Sequence, residues 1–209
     1  MWRFLFVLII TFSCFYCFSE ENVYSISMLG QKIGTSTEKW EIIQHKDGKC
    51  FIKLDSRSVM EIKRGDDFLK MTTDSAVISE CKTFKPLLIK TETKEFSSSV
   101  SRFGTIKENI FHAEITKNNN KENFSYPLED DLTFFSMIFK QHSPEELIKG
   151  FRKTVISEES LNKVEVSFSG EKKGDVYVVN VNYSRVPIQF HITNGVIVQS
   201  ELQNGLISY

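Results

Sequence analysis

The chain has 209 residues, with 26 Lys and Arg against 27 Asp and Glu and a pI near 6.4. This near-neutral balance offers no basic field to draw in phosphates, so nucleic acid is excluded as the expected partner. Its length suits one domain that buries a full hydrophobic core without a dense disulfide framework.

The N-terminus reads MWRFLFVLIITFSCFYCFSEEN, in which Arg3 precedes an apolar run from Phe4 to Phe18 that ends in polar, acidic residues. This is the pattern of a secretory signal peptide over residues 1–19, and the run is shorter than the ~20 residues needed to span a bilayer. Acylation at Cys14, which follows the small Ser13, is the alternative. Loss of the leader removes Arg3, Cys14 and Cys17, leaving a formal charge of −2 and two cysteines, Cys50 and Cys81. The expected location is exported: periplasm or cell envelope, or secreted.

Residues 20–209 read as a single β-rich domain with a helical insert at about 130–150. In VYSISMLGQKIGTSTEKWEII a turn at Gly30-Gln31 pairs Met28 with Ile33 and Ile26 with Thr35, collecting Tyr24, Ile26, Met28 and Ile33 on one face. Asp47-Gly48 is a hairpin dipeptide. A two-residue turn at Gly65-Asp66 then sets Glu61 against Lys70, Arg57 against Asp74, Ile62 against Leu69 and Leu54 against Val77. Charges fall on one face and apolar residues on the other. The same register places Cys50 opposite Cys81, with Cα atoms about 5.5 Å apart and in range of a disulfide.

Further strands are expected in KPLLIKTETKEF, RFGTIKENIFHAEIT and VYVVNVNYSRVPIQFHITNGVIVQSEL, where Asn194-Gly195 is a type I′ turn signal and Pro187 marks a strand start or edge. Between the β regions, Asp130 or Asp131 is expected to cap a helix. Its apolar residues Leu132, Phe134, Phe135, Met137, Ile138 and Phe139 project around nearly the whole circumference. Ser143-Pro144-Glu145-Glu146 reads as an N-cap, a proline at the first helical position and a capping box. The expected fold class is mainly β: an antiparallel meander of long hairpins curved into a half-barrel around one or two helices.

Catalytic motifs are not found. His45, His112, His142 and His191 are scattered, without metal-ligand spacing, and no metal or cofactor is expected. Ser36, Ser79 and Ser160 each begin an S-x-x-K, but the partner motifs of β-lactam-type chemistry are missing. Glu129, Asp130 and Asp131 are explained by helix capping without a cation. Arg64-Gly65-Asp66 spells a cell-adhesion tripeptide, yet Gly-Asp is what the turn itself requires. Asn123 and Asn182 head glycosylation acceptor patterns.

YSISMLGQKIGTSTEKWEI, SVMEIKRGDDFLKM, SRFGTI and YPLEDDLTFFSMIF together resemble the β-rich domain that precedes transglutaminase-like catalytic domains in exported bacterial proteins, and related periplasmic proteins. The chain departs from the two-domain versions in ending at Tyr209, so the resemblance implies that any Cys-His-Asp activity lies elsewhere. The layout is also similar to carriers that shuttle lipidated proteins across the periplasm. Two functions are expected from these readings. The first is a non-enzymatic binding or scaffold protein of the envelope, with a protein, glycan or lipid partner. The second is a carrier of an acyl chain or other apolar ligand, bound by Leu132, Phe134, Phe135, Met137, Ile138 and Phe139.

Overall fold

A computed structural model describes residues 18–45, 47–64, 67–96, 98–183 and 185–203. The leader expected at residues 1–19 lies almost wholly outside these residues, as does the turn expected at Gly65 and Asp66. The first half of the chain forms β1 (Phe18–Met28), β2 (Gln31–Gln44), β3 (Cys50–Arg64), β4 (Asp67–Glu80), β5 (Pro86–Glu95), β6 (Ser98–Lys107), β7 (Ile110–Lys117) and β8 (Asn120–Pro127). A linking segment carries β9 (Thr133–Phe134), α1 (Ile138–Gln141) and α2 (Pro144–Lys149). The second half forms β10 (Phe151–Ile156), β11 (Lys163–Lys173), β12 (Val176–Tyr183), β13 (Val186–Thr193) and β14 (Val196–Leu202).

All these strands belong to one sheet, ordered β8-β7-β6-β5-β4-β3-β2-β1-β14-β13-β12-β11-β10-β9. Its neighbours are antiparallel except for β1 with β14 and β9 with β10. The expected curved half-barrel is present: the sheet wraps without closing, and side-chain contacts link its N-terminal strands to the segments around β9 to β11. Tyr126 of β8 donates to the carbonyl of Leu161 (2.8 Å), Lys163 of β11 pairs with Glu129 (2.5 Å), and Thr133 of β9 donates to the carbonyl of Phe84 (2.9 Å).

The central hairpin has the expected register. Glu61 lies opposite Lys70, Arg57 opposite Asp74, Ile62 opposite Leu69 and Leu54 opposite Val77, and both charge pairs form, at 3.4 and 3.7 Å. Cys50 and Cys81 are disulfide-bonded with Cα atoms 5.4 Å apart, and the Cys81 N–H donates to the Cys50 carbonyl (3.1 Å). A bridge of this kind belongs to an oxidising compartment and is consistent with export.

Two expectations are corrected. The first hairpin turns at Leu29-Gly30, so that Met28 pairs with Gln31, and a bulge after Ile26 sets Ile26 opposite Gly34 instead of Thr35. Both turn residues have positive φ, 51° and 75°, the type I′ geometry that matches strand twist. The helix expected from Asp130 or Asp131 is also replaced. Thr133 and Phe134 form a strand on Val155 and Ile156, and helix begins only at Ile138, with Met137 at the N-cap and no side-chain cap. The buried edge of β10 supplies hydrogen-bond partners that a helix would have had to forgo. Capping therefore does not explain the acidic run, and Glu129 is spent on Lys163. The second helix is as expected: Ser143 caps α2, Glu146 completes the capping box, and Pro144 occupies the first turn.

Candidate functional site

The linking segment passes between two hydrophobic cores and joins both. Leu132, Phe134 and Met137 pack with Trp40, Ile52, Leu54, Val77, Ile89 and Phe111 of the N-terminal strands. Ile138 packs with Val166, Phe168, Val179, Val181 and Phe190 of the C-terminal strands, and Phe135 and Phe139 lie against that cluster. The six residues read from the sequence as an apolar ligand site are thus brought together inside the sheet's concavity as a wedge. Leu132, Phe134, Met137 and Ile138 are fully buried, while Phe135 and Phe139 keep partial exposure. Phe134 meets Phe111 edge-on, Phe135 lies 4.6 Å from Tyr183 and Phe139 lies 4.8 Å from Phe190.

A polar layer lies next to this wedge, and the sequence reading did not single out its members. Glu38 accepts from the Tyr24 hydroxyl (3.1 Å) and the Trp40 indole N–H (3.3 Å), and burial raises its carboxyl above the usual range. Lys140 stands over the Trp40 ring and donates to Glu20 (2.9 Å). Glu158 accepts the backbone N–H of Ser136 (2.8 Å), and desolvation pushes its carboxyl up to about 7. The Tyr183 hydroxyl donates to Ser157 (2.5 Å), and burial raises it further above its ordinary range. Arg102 donates to Thr93 (3.1 Å), leaves a buried Nε without a partner and feels the charge of Glu159. One sequence signal for part of this layer exists: Ser36, Glu38 and Trp40 share a parity in β2, so a buried Trp40 implies an inward Glu38.

The histidines stay apart. His142 sits 3.8 Å from Glu146 and against Phe151, His191 bonds Gln189, and His45 lies against Phe51. Ser36 is paired with Ser58, and Ser79 is buried. Among the described residues no group of three or more His, Cys, Asp or Glu could hold a metal ion, and no helix is long and apolar enough to cross a membrane.

The opposite, outward face carries an open groove of about 530 Å³ across β1 to β5. Two cross-strand rows line it: Thr37, Arg57, Asp74 and Glu92, and beside them Glu21, Lys39, Asp55, Ala76 and Lys90. Charges of both signs line the groove, alternating along the second row while Asp74 and Glu92 stand side by side in the first, and Arg57 with Asp74 crosses its floor. Period-two strand geometry is what sets these charges outward while Leu54, Val77 and Ile89 face the core.

A fourteen-stranded open sheet wrapped around an apolar wedge defines a β-barrel-like protein. No family model and no curated protein matches the chain. Among solved structures it is similar to a β-barrel-like protein of a domain of unknown function, DUF1849, from Brucella abortus. The match has a TM-score of 0.50 and 10% identity, covering 82% of this chain and 89% of the other. This likeness is one of fold. It supports the β-rich architecture and does not extend to the domains that precede transglutaminase-like domains.

Proposed function

We propose that the protein is a non-enzymatic binding or scaffold protein of the bacterial cell envelope, and that its partner is a protein or glycan lying across the outer groove. One observation carries this reading: the concavity is filled by the wedge, whereas an open groove lined by charges of both signs lies over β1 to β5 on the other face. Rows of paired cations and carboxylates suit an extended polar partner, which can exchange one ion pair for another as it docks. The disulfide and the leader pattern support an exported setting. The resemblance to domains preceding transglutaminase-like domains belongs to the same proposal.

Affinity capture from envelope extracts should recover a protein or glycan that the Arg57→Glu variant fails to hold, with direct binding then measured on the purified partner. Turnover of an ester, peptide or glycan substrate by the purified protein, abolished by one substitution, would overturn the reading. A carrier of an acyl chain is the second reading, and it draws on Phe135 and Phe139, the two wedge residues that keep partial exposure. Native mass spectrometry after gentle purification separates the two: a co-purified lipid favours the carrier, and its absence, with no displacement of a fluorescent fatty acid, favours the binding protein.

A further inference from the structure

We infer that one end of the sheet is a membrane-docking end, where Leu29, Phe68 and Phe96 insert into the interface of a lipid bilayer. The inference goes beyond the groove reading and rests on different residues. In an antiparallel meander alternate strands end together, so the C-terminal ends of β1, β3 and β5 lie at one end of the sheet. Leu29 occupies the first turn, Phe68 is the second residue of β4 and Phe96 opens the third turn. Their exposures of 68%, 63% and 73% are the highest among the exposed large hydrophobics, and none belongs to either core.

Backbone conformation is the second, independent observation. Leu29 and Phe96 have φ of 51° and 44°, a region that costs a side-chain-bearing residue about 1 kcal/mol or more. Elsewhere that conformation is held by Asn109, Asn118, Asn119 and Asn194, whose side chains tolerate it, by the polar Glu108 and Arg185, and by Phe84 and Leu161, whose side chains pack with the N-terminal core. At both tips the chain therefore bears backbone strain and a wetted apolar side chain together, where asparagine would remove both. Strain combined with exposure points to a role outside the fold.

Geometry and charge choose the occupant. Successive tips stand two strands apart, about 9–10 Å, so the three apolar groups form a row of separate projections about 20 Å long. A folded partner would need three matching pockets, whereas a fluid bilayer interface accepts each projection where it falls, and aromatic rings settle at headgroup level. Around the tips Lys32, Lys63, Lys70 and Lys94 are offset by Glu61, Asp67, Glu92 and Glu95, and Lys70 is paired with Glu61 and Lys94 with Glu92. Without a net cationic field, apolar insertion rather than attraction to anionic headgroups carries the association.

Flotation with phosphatidylcholine vesicles, with and without phosphatidylglycerol, tests this. The wild-type protein should float with both, equally at low salt and at about 0.5 M NaCl, where surface electrostatics are screened. Leu29→Asn/Phe68→Thr/Phe96→Asn should lower vesicle partitioning at least about tenfold. The single variants Leu29→Asn and Phe96→Asn should match or exceed the wild-type melting temperature, because asparagine relieves the left-handed strain. They separate lost docking from lost folding. No flotation of the wild type, undiminished flotation of the triple variant, or binding confined to anionic vesicles and abolished by salt would overturn the inference. So would a dimer that the triple variant dissolves without any vesicle binding, since a second copy would then cover the tips. Arg57→Glu should float normally, so failure of the groove reading and failure of this one are distinguishable.

Discussion

Gly104 stands in β6 opposite Ala113, and its missing side chain is what admits the Phe111 ring to the N-terminal core. A Cβ there would come 2.4 Å from Phe111 Cζ and 2.7 Å from Ile89 Cγ2, both inside a packed interior. Gly104→Ala should destabilise the protein by about 1–3 kcal/mol, read as a lower urea midpoint with unchanged slope. Glu158 makes a different demand on its surroundings. Burial disfavours its charged form and pushes the folded-state carboxyl up to about 7, from an ordinary value of 4.5. Between those values the folded chain binds more protons than the unfolded chain, so stability falls as pH rises through that window. Glu158→Gln keeps an acceptor for the Ser136 N–H and carries no charge. Urea titrations should show the wild type losing on the order of 2–3 kcal/mol from pH 4.5 to 7, since one pKa unit is about 1.36 kcal/mol. The variant should lose much less, the remaining slope coming largely from Glu38, whose carboxyl burial also raises. An equal slope in both proteins would show that Glu158 is not the titrating group.

The β3–β4 hairpin is where residue pattern and element agree. Its register was legible because three independent signals coincide: opposite charges on one face, apolar pairs on the other, and Gly-Asp between equal arms. The cysteines at its base close a loop with a sequence separation of 31. On the chain-entropy account such a closure contributes about 3–4 kcal/mol. Cys50→Ser should therefore lower the melting temperature by on the order of 10 °C in a domain of this size. Thiol reduction should do the same to the wild type and leave the variant unmoved. The first hairpin departs from its local signal. Two residues, Gly30 and Gln31, satisfied the turn rule, yet the chain turns one residue earlier on Leu29 and Gly30 and recovers its register with a bulge. Leucine carries no local preference for a left-handed turn, so nothing along the chain announced it. The capping box at Ser143 was legible because it is a local exchange of hydrogen bonds within four residues.

At the scale of the whole molecule the wedge joins two cores that belong to opposite ends of the chain. Phe134→Ala should leave a cavity where Phe111, Met137 and Leu132 meet, costing about 3–5 kcal/mol in denaturant unfolding. If the concavity serves an apolar ligand, the wild type should bind a fluorescent fatty acid and this variant should bind it with altered affinity; if the wedge is core alone, wild-type uptake stays at background. The mainly β class, the long central hairpin, the disulfide partners and the second helix were legible in the residue pattern, because each rests on contacts between residues close along the chain or paired through a short turn. The strand at Thr133–Phe134, the parallel pairing of β1 with β14 and the inward set of Arg102 and Glu158 come from long-range packing instead. An apolar run such as 132–139 suits any buried conformation. Its hydrogen bonds go to Val155 and Ile156, and its packing goes to strands from both halves of the chain, so its conformation follows from partners that no local pattern specifies.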